Sequence, residues 1–296
     1  MAIAQTFDYF KPKTAAEAVR ILNRLGAKGQ VLAGGTDLVG LIADDAARPG
    51  ALVDIKGLEE LSALRCSRDV LRIGALVTFT DLLESPIIRR QFPVFAEMIH
   101  WVASRGIRNR ATMIGNICSA VPCCDSGPIL LLYEAEVVLK SPRRTRRLPI
   151  EDWFRGPRKT AIGRGEIVTS LAVPRPHKKH AACFVKLRRY RGEDLAQASV
   201  GVLLLLGHHW LVSFGSVAPT PVRGRRVEKL LEGRELTDDL VRRACAVALE
   251  DIAPITDIRA TREYRNLMAQ VMLERALRAA ASRFAGEGPD YGRELI

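Results

Sequence analysis

The chain has 296 residues, 48% of them apolar and 26% charged, a balance that excludes a disordered or fibrous protein and suits one large core or two to three smaller ones. Its formal charge of +12 favours anionic ligands or partners, yet the cations fall in turn-rich segments without interleaved aromatic residues or a nucleic-acid motif, which argues against a nucleic-acid surface. The opening MAIAQTFDYFKPKT lacks the basic and apolar blocks of a secretory signal, and its Asp8 argues against a transit peptide, so a cytoplasmic location is expected.

Residues 14–25 read as an amphipathic helix. Thr14 and Glu17 form a capping box, Ala15, Ala18, Val19, Leu22 and Leu25 recur at helical spacing, and Gly26 stops the run. A short strand through Val31, Leu32 and Ala33 breaks at Gly34 and Gly35, and a helix is expected from Leu38. Strands are predicted at 52–55 and 70–74, and one or two helices over 81–104. A long irregular loop is expected over 105–128. Helix over 129–135 and strand over 136–140 follow, then an Arg-rich hairpin turn over 141–147 and a strand over 166–173 ending at Pro174.

The polar, basic stretch PRPHKKH at 174–180 marks a domain boundary near 175–182. Beyond it, segments 183–189, 198–206 and 210–217 form an antiparallel sheet, and helical patterns run to about Phe284. The run VGVLLLLG at 200–207 is too short to span a bilayer and reads as a buried strand, so no membrane insertion is expected. His208 and His209 then sit in a surface turn. The basic clusters Arg143, Arg144, Arg146 and Arg147, then Lys178 and Lys179, then Arg188, Arg189 and Arg191, then Arg223, Arg225 and Arg226 read as solvated loops, although the dense patch Arg188-Arg189-Tyr190-Arg191 suits contact with an acidic partner or a cofactor edge about equally well.

Two segments carry chemistry. In AGGTDL at 33–38, a strand enters a Gly-Gly turn whose backbone N–H groups are free to converge on an anion such as a dinucleotide pyrophosphate. Thr36 adds a hydroxyl and Asp37 is placed to cap the next helix. The motif is neither GxGxxG nor a GK[ST] loop, so ordinary Rossmann and Walker readings fail. The second segment, at 107–139, gathers Gly115, Asn116, Ser119 and Asp125 in one loop. Asn and Ser suit phosphate or ribose oxygens, and a carboxylate suits ribose hydroxyls. The bland alternative for Asp125 is a helix N-cap.

Six cysteines, at 66, 118, 123, 124, 183 and 245, show no secreted-scaffold spacing and read as reduced thiols. Cys118, Cys123 and Cys124 crowd the second segment but lack a fourth thiol nearby, so packing thiols are expected rather than a cluster site. No residue stands out as catalytic, and no metal ligand set is predicted.

These segments belong to a longer ordered series. It comprises FDYFKPKTAAEAVRIL at 7–22, AGGTDL, IRNRATMIGN at 107–116, SAVPCCDSGPILL at 119–131, EIVTSLAVP at 166–174, VKLRRYRGEDLAQASVGV at 185–202, GSVAPTPVRGRRVEKLLEG at 215–233 and DIRATREYRNLMAQVMLERAL at 257–277. The series resembles the FAD-binding subunit family of molybdenum hydroxylases over nearly the whole chain. One departure is Ile114, which stands where the family's IRN-x-AT-x-GGN motif has its first glycine.

The resemblance implies an α+β fold in which an FAD-binding domain of the vanillyl-alcohol-oxidase/PCMH type spans 1–176, with subdomains at about 1–57 and 58–176. A smaller sheet-plus-helices domain spans 180–287, and 288–296 form a tail. It implies that Val31, Leu32, Ala33, Gly34, Gly35, Thr36, Asp37 and Leu38 hold the FAD pyrophosphate. Thr112, Gly115, Asn116, Ser119 and Asp125 would hold phosphate and sugar, and Val102, Val168 and Lys186 would also touch the cofactor.

The implied function is electron relay. A molybdopterin-binding large subunit oxidises the substrate, a small subunit with two 2Fe–2S clusters carries electrons, and this chain passes them to NAD+ or another acceptor. The runner-up is a flavin-less or weakly binding scaffold subunit of such a hetero-oligomer, motivated by Ile114.

Overall fold

The computed structural model describes residue 3, residues 5–190 and residues 192–296. Arg191 of the third basic cluster therefore lies outside the described residues.

The chain opens with β1 (Asp8–Phe10), α1 (Ala15–Leu25), β2 (Gly29–Leu32), α2 (Leu38–Ala43) and β3 (Ala51–Asp54). The strands form a parallel sheet in the order β1-β3-β2. In α1 the Thr14 hydroxyl accepts from the Glu17 N–H at 3.1 Å, while the Glu17 carboxylate accepts from the N–H of Lys13 at 2.7 Å. The capping box is thus displaced by one residue at its return bond. Ala15, Ala18, Val19 and Leu22 form the buried stripe, and Gly26 ends the helix at φ 59°.

The second unit contains β4 (Leu64–Cys66), β5 (Val70–Gly74), α3 (Phe79–Glu84), α4 (Pro86–Gln91), α5 (Pro93–His100), α6 (Arg105–Arg108), α7 (Met113–Ser119) and α8 (Ser126–Leu132). It continues with β6 (Glu136–Lys140), β7 (Thr145–Pro149), the hairpin β8 (Phe154–Gly156) and β9 (Lys159–Thr160), and β10 (Ile167–Pro174). Its five-stranded antiparallel sheet runs β4-β5-β10-β6-β7. The last of these strands in sequence lies in the middle, which explains why IVTSLAVP is apolar on both faces.

Two expectations are corrected here. Region 81–104 holds three short helices, because Pro86 and Pro93 each occupy a first helical turn and end the helix before it. Region 105–128 is no irregular loop. Ser104 caps α6 and Thr112 caps α7, each through its side-chain oxygen.

The third unit is a four-stranded antiparallel sheet of β11 (His180–Leu187), β12 (Ala198–Leu205), β13 (His209–Gly215) and β14 (Val222–Arg223) in sequential order. Helices α9 (Arg225–Leu231), α10 (Asp238–Ala248) and α11 (Arg262–Ala285) complete it. Strand alternation divides β11: Cys183 and Val185 join the core beneath these helices, whereas Ala182 and Phe184 join the core of the second unit. Both faces of this sheet are therefore buried. Lys186 shares the parity of Ala182 and Phe184.

Arg223 overturns its reading as a solvated loop cation. It is buried in β14, where Nε donates to Glu228 at 2.6 Å and Nη1 to the carbonyl of Leu131 at 3.2 Å. Arg146 likewise forms a two-pronged pair with Glu166 at 2.8 and 2.7 Å. Another clasp joins distant units. Buried Glu97 on α5 accepts from Arg283 of α11 at 2.7 and 3.1 Å, from the N–H of Phe184 at 2.9 Å and from that of Gly292 at 3.0 Å.

Candidate functional site

The units enclose a cleft of about 1380 Å³. Its walls include every residue that the family resemblance assigns to the cofactor except Leu32. Strand alternation explains that exception: Val31 and Ala33 face the cleft, while Leu32 turns the other way to pack with Ile42 and Leu52.

The Gly-Gly turn is built differently from a simple open cradle. Gly35 adopts φ +80°, a conformation that L side chains rarely take. At Gly34 a Cβ would overlap the carbonyl oxygen of Arg110 and lie 2.7 Å from its carbonyl carbon. The first loop is thus seated directly on the backbone that leads into α7. Asp37 occupies the N-cap position of α2 without capping it; its carboxylate instead accepts from the Ser119 hydroxyl at the far end of α7.

Along α7 the polar side chains shape the wall. The Thr112 hydroxyl accepts from the N–H of Gly115 at 2.9 Å, and the Asn116 carbonyl oxygen accepts from the N–H of Ser126 at 3.2 Å and the thiol of Cys124 at 3.1 Å. Ile114 lies within this helix, where its side chain joins the core. Its place requires no glycine conformation. Val102 and Val168, 7% and 5% exposed, supply apolar wall.

Asp125 is the most informative polar group. It directly precedes α8 yet makes no side-chain cap, so the N-cap alternative fails. Its Oδ2 accepts from Lys186 Nζ at 2.6 Å, whereas its buried Oδ1 has no hydrogen-bond partner among the described residues. Lys186 also donates to the carbonyl of Trp101 at 2.8 Å. Burial pushes the Asp125 carboxyl up, and the ammonium of Lys186 and the charge of Arg188 oppose that rise. An unpaired buried acceptor on a cleft wall suits a ligand that brings a hydroxyl or N–H donor.

Sequence reading missed other lining residues, among them Arg158 and Arg164 beyond β8, and Asp194 and Arg259, which line the cleft together with Tyr190, a candidate for the cofactor edge. Arg259 is held by Asp194 at 2.6 Å across 65 residues, a pairing that no local pattern announces. Arg188, for which the sequence leaves both solvation and a partner or cofactor contact open, stacks over Trp101 with its guanidinium carbon 4.5 Å from the ring centroid. Cys118 is exposed on the cleft wall, Cys123 is partly buried and Cys124 is buried. Burial raises the Cys123 thiol, keeping it protonated and a poor nucleophile.

The chemistry of this donor set fits an extended, anionic, hydroxyl-bearing cofactor such as FAD. Glycine backbone lies at one part of the cleft, apolar walls at another, and an unpartnered carboxylate oxygen between neighbouring elements.

Comparison with known proteins agrees. Residues 5–176 match the family described as "FAD binding domain in molybdopterin dehydrogenase", and residues 182–280 match "CO dehydrogenase flavoprotein C-terminal domain". The carbon monoxide dehydrogenase medium chain of Hydrogenophaga pseudoflava is 31% identical over 96% of this chain and 100% of its own. The xanthine dehydrogenase FAD-binding subunit of Escherichia coli O157:H7 is 30% identical over 95% of this chain and 98% of its own. A solved carbon monoxide dehydrogenase structure from Hydrogenophaga pseudoflava superposes with a TM-score of 0.92 at 32% identity, covering 95% of this chain and 99% of that one. The chain therefore belongs to the family of FAD-binding subunits of molybdenum hydroxylases.

Proposed function

We propose that this chain binds one FAD non-covalently in the 1380 Å³ cleft and relays electrons within a molybdenum-hydroxylase complex. The observation that carries this reading is the unpartnered, buried Oδ1 of Asp125 on the same cleft as the Gly34–Gly35 turn. In the proposed arrangement, backbone from Val31 to Leu38 receives the pyrophosphate. The α7 residues Thr112, Gly115, Asn116 and Ser119 shape the phosphate and sugar end, Asp125 accepts from a sugar hydroxyl, and Val102 and Val168 exclude water. When bound, FAD supplies the ability to take up electrons singly and release them in pairs; the protein orients it and tunes its surroundings.

Complexes of this kind pair the flavin chain with a molybdopterin-binding large subunit and a small subunit carrying two 2Fe–2S clusters, and we assign those partners here, with NAD+ or another acceptor downstream. The family likeness supports this assignment, as does a site equipped for a single cofactor. The division we propose is an FAD-binding domain at 1–176, with subdomains near 1–57 and 58–176, a C-terminal domain at 180–287 and a tail at 288–296. Six unpaired cysteines suit the cytoplasm, and among the described residues no helix is long and apolar enough to cross a membrane. A scaffold without flavin is not favoured, since Ile114 fits within α7 and leaves Gly34, Gly35 and Asp125 in place.

Purification of the native complex tests the reading. Flavin absorbance in proportion to this chain, with both partner subunits co-eluting, is the expected result. A complex without flavin, or a lone chain competent in substrate oxidation, overturns it.

A further inference from the structure

We propose that Lys186 is a positioning residue: reaching from the C-terminal sheet, it fixes the Asp125 carboxylate so that Oδ1 alone is offered to the cofactor, and thereby couples cofactor binding to the docking of that sheet. The inference rests on the FAD reading above and adds to it a division of labour between two residues that both line the cleft.

Three observations carry it. First, the Lys186 side chain is 1% exposed, and its ammonium already donates to the Trp101 carbonyl and to Asp125 Oδ2. A cation so engaged acts on a ligand mainly through the groups it holds. Second, the carboxylate has two oxygens in unlike states, one tied at 2.6 Å and one buried without a partner among the described residues. The tie selects the rotamer and leaves a single directed acceptor. Third, Lys186 lies on the face of β11 that carries Ala182 and Phe184 into the second unit's core, whereas Asp125 belongs to the loop before α8. The acceptor is therefore completed only when the two units are packed together. By linkage, a ligand that binds the completed site stabilises that packing.

Charge gives the same result. A carboxyl buried at this position without its ammonium is driven towards the neutral form, and a neutral carboxyl is the weaker acceptor. The other titratable groups around the pair are Cys123 and Cys124 on the same loop and Arg188 just after β11, with Arg259, from the segment before α11, acting on Cys123. Burial raises both thiols, and Lys186 is the first of the charges that oppose the rise of Asp125, so Asp125 is the group whose ionisation Lys186 controls.

The test uses the full chain stripped of flavin, in four forms: wild type, Lys186→Met, Asp125→Asn and the double variant. FAD is titrated into each from pH 5.5 to 9, and thermal unfolding of the apoproteins verifies folding. Lys186→Met is expected to lose about ten- to hundredfold in affinity at neutral pH, the range of a charge-assisted hydrogen bond, and to regain affinity as pH rises and Asp125 ionises. In the Asp125→Asn background the same change is expected to cost less than about threefold, because its target is gone. The double variant leaves no buried charge unpaired, so it remains informative if Lys186→Met folds poorly. A Lys186→Met loss that is the same at every pH and persists beside Asp125→Asn overturns the inference. Failure of wild type to take up FAD would instead overturn the function proposed above.

Discussion

Replacing Gly34 with alanine should be the most damaging single-methyl change in the cleft. The added Cβ would lie 2.7 Å from the Arg110 carbonyl carbon and 3.2 Å from the Ala111 Cα, both inside the 3.4 Å at which ordinary contact begins. These are backbone atoms, so no rotamer change relieves the overlap. The Arg110–Ala111 peptide would have to move by about 1 Å, an overpacking strain of roughly 1–3 kcal/mol. That peptide is also tethered: the N–H of Ala111 donates to Ile107 at 2.7 Å, and its carbonyl accepts from Phe79 at 2.9 Å. Loosening one buried bond adds about 1–3 kcal/mol. The combined cost of about 2–6 kcal/mol corresponds to roughly one and a half to four decades in FAD affinity if the strain is relieved at the site. Gly35→Ala meets only the ends of Leu32 and Val39, at 3.2 and 3.3 Å, and its main cost is the φ of +80°, about 1–2 kcal/mol or roughly one decade. Flavin fluorescence titration of both full-length apoproteins, with melting curves alongside, measures the difference. A Gly34→Ala protein that binds FAD as well as wild type, or better than Gly35→Ala does, would refute the seating of the first loop on Arg110.

Ile114→Gly, which restores the family residue, should lower the melting temperature by removing a core side chain, at a cost of about 2–5 kcal/mol, while FAD affinity stays within about threefold; a clear gain in affinity would show that the isoleucine does obstruct the cofactor. Glu97→Ala strips the partner from Arg283, whose side chain is 4% exposed, and should destabilise the chain by about 3–5 kcal/mol, with chemical denaturation as the check; a loss below about 1 kcal/mol would show the clasp to be dispensable. Glu166 is held below the usual carboxylate range chiefly by its hydrogen bond to Arg146. Its stabilising share is present above the unfolded value near 4.5 and vanishes as pH falls through the folded one, so Arg146→Gln should flatten the acid limb of a stability–pH curve, and an unchanged limb would exclude the pair as its source.

Local patterns in the sequence read well where one element supplies its own signal. Thr14 and Gly26 bracket α1, and the Gly34–Gly35 break and strand β6 stand where expected. The failures share a cause. Pro86 and Pro93 were visible, but periodicity alone merged the helices they divide. Thr112 carries a cap that a composition of Gly, Asn and Ser disguised as loop. The cleft itself depends on pairings across long separations: Ser119 to Asp37 over 82 residues, Lys186 to Asp125 over 61, Arg259 to Asp194 over 65. Such contacts are products of packing, and a family resemblance can flag the residues without revealing what each one holds. Arg223 shows the converse, since a cation beside Arg225 and Arg226 looks solvated until Glu228 and the Leu131 carbonyl enclose it.

The Glu97 clasp also sets an order of events during synthesis. Its carboxylate waits for Phe184, 87 residues later, and for Arg283, 186 residues later. A ribosome adding about 5–20 residues per second leaves roughly ten to forty seconds between Glu97 and Arg283. Through that interval α5 carries a carboxylate whose partners have yet to be made. Closure of long chain loops is slow and comes late. The clasp between α5 and the C-terminal unit can therefore close only once the last helix has been made.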